Sequence, residues 1–204
     1  RRSSDLSERH HGATHKLHSS PHTDRPIAAI PESMIIFHNL ADTSDEQTMA
    51  WLEHIAANLR PSDWDEMRAT NPLLTLGDPD PLVLLTSSLM MSKFAWVICE
   101  DGVPFCIFGA APDDCGHGII WMLGTPGMAT RSASLAVARH TRSYVLDLLE
   151  QWPRLYNHID ARNSQSLQWL LWSGFEIEAV DLHHGREQRP FYLFSITREG
   201  PPNL

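Results

Sequence analysis

The sequence reads as an α/β sandwich: a mixed sheet that is antiparallel in its first strands and gains a parallel crossover after a long helix. Two features carry this reading. Apolar runs at 95–99 and 104–108 are joined by Glu100-Asp101-Gly102, the composition of a tight hairpin, so that pair is antiparallel. Further on, a helical pattern from about 131 to 151 lies between strand-like runs at 119–123 and 155–160. A helix joining two strands is the connection that lays them parallel.

The remaining elements follow in chain order. Met34-Ile35-Ile36-Phe37 is a short apolar run that suits a strand. Ser44 is placed to cap a helix running to about Asn58, in which Met49, Leu52, Ile55 and Ala56 recur at helical spacing. Pro61 suits the first position of a second, short helix, with Asp63, Asp65 and Glu66 near its positive end. Asp80-Pro81 introduces an apolar helix to about Met91, and the turn-rich 112–118 stretch leads into the strand at 119–123. The long helix stops before Pro153; residues 164–173 read as a helix and 191–197 as the closing strand.

The 204 residues are 42% hydrophobic and 20% charged, the balance of a globular domain with a real core. Asp and Glu total 25 against 16 Lys and Arg, for a net charge of −9. A uniformly acidic protein repels phosphate backbones, which argues against general nucleic-acid binding. No apolar run approaches the roughly 20 residues of a bilayer span, and no charged-then-apolar leader opens the chain. Cys99, Cys106 and Cys115 cannot all pair and form no CxxC, so reduced thiols in a cytoplasmic setting are expected.

Residues 1–25 differ from the rest. They hold His10, His11, His15, His18 and His22 and five serines, but only Leu6, Ala13 and Leu17 from the hydrophobic set. Such a segment buries too little apolar surface to offset its ordering entropy, so it reads as a flexible, His-rich polar arm that orders only against a partner. Residues 26–204 read as a single domain. The first residue is Arg rather than Met, so the start reads as trimmed, processed or incomplete.

Two segments carry candidate chemistry. In Asp160-Ala161-Arg162-Asn163-Ser164-Gln165-Ser166, Asn163 ends a strand and can cap the following helix, while Gly174-Phe175 supplies a left-handed stop and the next strand. One helix upstream, Gly124-Thr125-Pro126-Gly127-Met128-Ala129-Thr130-Arg131 joins a strand to a helix N-terminus, a place where backbone N–H groups and the helix dipole suit an anion.

The spacing from Asn163 through Ser166 and Leu170 to Gly174-Phe175 resembles the last motif of the GNAT acyltransferases, Asn-x-x-Ala-x-x-x-Tyr-x-x-x-Gly-Phe. Gly127 and Ala129 reproduce the tail of that family's pyrophosphate loop, although Gly124 stands where Gln or Arg is usual and Pro126 removes a donor. The resemblance implies acetyl-CoA or CoA as cofactor. It would be held by Met122, Leu123, Gly124, Gly127, Met128, Ala129, Arg131, Asn163 and Ser166, with no metal. Residues 60–197 are most similar to small GNAT-like internal virion or inner-core proteins of tailed bacteriophages. That similarity rests on Leu59-Arg60-Pro61-Ser62-Asp63, Asp101-Gly102-Val103-Pro104, Trp121-Met122-Leu123-Gly124-Thr125 and Asp160-Ala161-Arg162-Asn163.

Acyl transfer needs a base for the acceptor amine and often a Tyr to protonate the leaving thiolate. Leu170 occupies the Tyr place, and the strand at 119–123 carries no carboxylate. By residue type His117 is the best local base; Glu100 and Asp101 read as solvated turn residues. Ser132, Ser134 and His140 lack a nucleophile elbow, Cys115-Gly116-His117 falls short of a metal site, and His183-His184 reads as an exposed turn. Trp169 and Trp172, three apart on one helix, straddle core and sheet edge. The expected function is a phage virion or assembly protein with weak or lost catalysis, sited in the virion or host cytoplasm with other virion proteins or a host protein as partners. The alternative is an acetyl-CoA-dependent N-acyltransferase acting on a host protein or small amine.

Overall fold

The computed structural model describes residues 33–70 and 80–198. In chain order these form β1 (Ile35–Asn39), α1 (Asp45–Ala57), α2 (Pro61–Thr70), α3 (Pro81–Met91), β2 (Phe94–Glu100), β3 (Val103–Pro112), β4 (Gly118–Gly124), α4 (Arg131–Gln151), β5 (Arg154–Asp160), α5 (Ser164–Trp172), β6 (Glu176–His184) and β7 (Arg189–Thr197). The strands make one sheet in the order β1-β2-β3-β4-β5-β7-β6. Neighbours are antiparallel except β4 and β5, which run parallel across the α4 crossover. The expected mixed sheet is present.

Capping chemistry fixes the helix starts. Side-chain oxygens of Ser44, Asp80, Thr130 and Asn163 accept from the backbone N–H groups of Gln47, Leu82, Ala133 and Ser166, each satisfying a donor that the first helical turn leaves free. At the far end of α5, Gly174 takes a φ of 97°, a value open to glycine but costly for other residues.

Strand alternation divides the core between the two faces of the sheet. Val97, Cys99 and Ile107 pack against Trp51, Leu52 and Ile55 of α1 and Leu85 of α3. Ile98 and Cys106 turn the other way, onto Ala133 and Val137 of α4. Val145, Leu148 and Leu149 continue that face onto Leu155, Ile159, Leu170 and Phe194. Each fully buried aliphatic side chain of this set contributes about 1.5–3 kcal/mol of transfer free energy.

Two sequence expectations are corrected. His183-His184 is the end of β6, the strand expected after Phe175, and not an exposed turn; His184 stacks on His158 with ring centroids 4.3 Å apart. β6 is an edge strand bonded only to β7 and mostly exposed, so its sequence carries no inward alternation. Glu100 is not a solvated turn residue, because its carboxylate accepts from the hydroxyls of Ser132 and Thr130. Asp63 lies in the first turn of α2, as expected, and both it and Glu66 also reach the sheet. The arm at 1–25, with its histidines, lies outside the described residues.

Candidate active site

β4 and β5 pair only at Gly118–Leu155 and Ile119–Tyr156. Beyond those two rungs the strands part, and the Asn157 side-chain amide crosses the start of the gap to donate to the Ile120 carbonyl at 2.7 Å. The gap opens a cavity of about 530 Å³ that passes through the sheet. On the α4 and α5 side its wall includes Met122, Tyr144, Asn163, Ser166 and Trp169; on the other it includes Trp121, Leu123 and residues of α2 and α3.

One turn of α2 spans the open end. Asp63, only 3% exposed, accepts from the Gly124 N–H at 2.8 Å and from the Arg60 guanidinium at 2.7 and 3.0 Å, while the Arg60 N–H donates to the Gly124 carbonyl. Three residues on, Glu66 Oε2 accepts from the Asp160 N–H at 3.3 Å and from the Asn163 amide at 3.4 Å. Asp63 thus fastens the end of β4, and Glu66 the end of β5. Both line the cavity.

Glu66 is the electrostatic anomaly of the site. Burial pushes its carboxyl from the ordinary 4.5 up to about 7; the two hydrogen bonds pull it down, and the charges of Asp63 and Asp160 push it up again. A carboxyl that titrates near neutrality can both take and return a proton at working pH. Its neighbour Asp160 behaves oppositely: burial raises it, but the bidentate Arg162 pair and the Arg162 N–H outweigh that and hold it below its usual range. His158, also in the wall, is lowered by burial and by the stacked His184. Tyr144 is raised by burial and then by Asp147, so its phenol keeps its proton.

Of the residues expected at the cofactor site, Met122, Leu123, Asn163 and Ser166 line the cavity. Gly124 at the end of β4, Gly127, Met128 and Ala129 in the loop that follows, and Arg131 at the start of α4 are not part of its described wall. His117 sits at the closed end of the strand pair, beside Gly118, with Nδ1 3.3 Å from the Asp113 carboxylate and its ring edge-on to Tyr156. It does not line the cavity. Leu170, in the expected Tyr place, does, and the phenol of the wall comes instead from Tyr144 on α4. Among the described residues no cluster of three or more His, Cys, Asp or Glu is placed to hold a metal. Burial raises the thiols of Cys99, to about 11, and of Cys106, which makes both poor nucleophiles.

The fit to CoA differs along its length. The Trp169 indole N–H is buried with no partner among the described residues, in the wall between α4 and α5, where a ligand carbonyl such as a pantetheine amide would satisfy it. Around the 124–131 loop, where the sequence leads us to expect the phosphates, the chain supplies its own groups. Thr125 Oγ accepts from the Gly127 N–H, Thr130 Oγ from the Ala133 N–H, and the Glu100 carboxylate rests against Ser132 at the positive end of α4. The Met128 sulfur also lies 2.0 Å from where a Gly124 Cβ would stand, so a side chain at 124 cannot be accommodated without moving it.

A mixed sheet whose central parallel pair splays around a cavity, crossed by a long helix on one face, is the fold of the GNAT acetyltransferases. Solved structures of that class superpose over most of this chain. A GNAT-family acetyltransferase from Bacillus anthracis aligns with a TM-score of 0.56 at 13% identity, over 81% of this chain and 95% of its own. The ribosomal-protein-S18-alanine N-acetyltransferase of Escherichia coli aligns at 0.54 and 9% identity, over 83% and 97%. RimL, a ribosomal L7/L12 α-N-protein acetyltransferase solved with coenzyme A, aligns at 0.58 and 6%, over 78% and 93%. Identities this low establish the fold alone. Neither a protein-family model nor a curated protein matches the chain. Among the described residues no helix is long and apolar enough to cross a membrane.

Proposed function

We propose that this protein is an acetyl-CoA-dependent N-acyltransferase in which Glu66 is the general base. The observation that carries the reading is a carboxyl titrating at about 7 in the wall of a cavity that passes through the sheet between splayed strands. When bound, acetyl-CoA supplies an acyl thioester whose carbonyl carbon accepts a nucleophile. Met122 and Ser166 would flank its pantetheine arm, and the buried Trp169 N–H would be free to donate to one of that arm's carbonyls. Glu66 takes the proton from the acceptor ammonium or from the nitrogen as the C–N bond forms. Tyr144, in the same wall, would supply the proton that a leaving thiolate requires. Asn163 is a positioning residue, holding Glu66 Oε2 while capping α5.

Release of free thiol from acetyl-CoA in the presence of a primary-amine panel tests the reading directly. Amine-dependent release that is lost in Glu66→Gln is expected. Release that needs no amine, or that survives Glu66→Gln, sinks it.

The second reading is a virion or assembly protein that keeps the fold with weak or lost catalysis. It draws on two observations: Leu170 in place of Tyr, and Glu100 occupying the positive end of α4. Its bacteriophage component rests on sequence resemblance alone. The absence of both thiol release and CoA binding would favour it.

A further inference from the structure

The half of the cavity on the α2 and α3 side has a chemical character of its own. Its wall there is Met67, Val83, Leu84, Met91, Trp121 and Leu123, with Thr70, Ser87 and Ser88 as the hydroxyls. Helix α3, Pro-Leu-Val-Leu-Leu-Thr-Ser-Ser-Leu-Met-Met, contains no charged residue, and only Leu85 is buried. Val83 and Met91 are 59% and 71% exposed although they border the cavity, so an apolar rim faces outward where polar residues would cost nothing.

Charge is scarce in this wall. Asp63 and Glu66 are the charged side chains of the described lining besides the His158 imidazole. Asp63 is already matched by Arg60 and the Gly124 N–H. His158 is shifted toward its neutral form. Among the described residues that leaves one carboxyl of the lining able to face a cation, and it carries a full charge only above neutrality. A ligand with two or more ammonium groups would lay at least one of them against apolar side chains with no described carboxylate to pair it, which disfavours it relative to an apolar body.

We infer that the acceptor is a small monoamine carried on an uncharged apolar body, an arylalkyl or alkyl amine, with its nitrogen at Glu66 and its body against α3. This rests on the acyltransferase reading above and adds the substrate class to it. A polyamine or a lysine-rich peptide fits the same wall poorly.

The test uses the full chain, acetyl-CoA and four acceptors: phenethylamine, hexylamine, spermidine and a lysine-rich peptide. Thiol release is followed by kinetics and ligand binding by thermal shift. The two apolar amines are expected to show kcat/KM at least tenfold above spermidine and the peptide. Val83→Glu, at an exposed site that should not disturb folding, is expected to raise KM for phenethylamine at least fivefold and to lower that for spermidine. Robust release with spermidine or the peptide but not with the apolar amines overturns the substrate class and leaves the acyltransferase reading standing. No release with any amine, together with a clear thermal shift by phenethylamine that Val83→Glu removes, overturns the acyltransferase reading and keeps the apolar amine site. Neither release nor a shift with any of the four overturns the site as well.

Discussion

The Asn163 side chain serves two partners at once: its oxygen accepts from the Ser166 N–H at 3.3 Å, and its amide nitrogen donates to Glu66 Oε2 at 3.4 Å. The start of α5 and the ionisation of an acid on α2 therefore share one residue. Removing the side chain costs the cap, about 1 kcal/mol, and frees Glu66 to rise further. Asn163→Asp keeps the cap but sets a second carboxylate against Glu66. We expect Asn163→Asp to melt within a few degrees of the parent and its rate profile to move to higher pH, measured by thermal unfolding and by kcat/KM against pH.

For Glu66 the pH dependence has a definite sign. As a base it works ionised, so kcat/KM is expected to rise with pH to a plateau above about 7. Glu66→Gln should lower kcat/KM by about 10²–10⁴-fold and abolish that rise. A parent profile flat from pH 5 to 8 would exclude this role.

Stability runs the other way. A carboxyl raised on folding holds its proton more tightly in the native state, so its stabilising effect is complete below about 4.5 and is lost as pH climbs toward 7. The loss is on the order of 3 kcal/mol. Glu66→Gln, which cannot ionise, should melt above the parent at pH 8 and alongside it near pH 4.5. Calorimetric scans at the two pH values check it.

Asp63 is the opposite case, a buried carboxylate fully matched by its partners. Asp63→Ala strands Arg60 and the Gly124 N–H and is expected to cost about 3–5 kcal/mol in urea unfolding. A cost below about 1 kcal/mol would show that the Arg60 pair does not hold β4.

Glu100 competes with any phosphate at the start of α4. Its carboxyl is held low first by the Ser132 hydroxyl and then by Ser33. Glu100→Ala removes that internal anion, and CoA affinity by calorimetry is expected to rise severalfold. An unchanged or weaker affinity would mean that the phosphates bind elsewhere.

What the sequence disclosed follows from the range of the forces involved. Helix starts were legible because a cap is a contact over two or three residues, as at Ser44, Asp80, Thr130 and Asn163. Strand β6 was legible only at its start, after Phe175, because an exposed edge with register shifts after Ile177 and Asp181 has no face to encode its length. Asn163 and Ser166 were found through motif spacing. Glu66 was not, because its pKa is raised by burial in the folded chain and its hydrogen-bond partners lie 94 and 97 positions along the sequence. In Asp-Trp-Asp-Glu it is indistinguishable from an ordinary acid near the start of a helix. The loop at 124–131 was placed correctly, but its tie to Glu100, about thirty residues earlier, had no local signature.

Because Asp63 grips β4 and Glu66 grips β5 from positions three apart on one helix, the aperture between the strands is gauged by a helical rise of about 4.5 Å. That length is a backbone constant, insensitive to side-chain drift in either strand. Shifting either acid by one residue would swing it about 100° around the helix, away from its strand. Diversification of this scaffold is thereby channelled: the gap and its acid are locked to each other, and new acceptor preferences are most easily acquired by rewriting α3, whose exposed apolar positions answer to neither clamp.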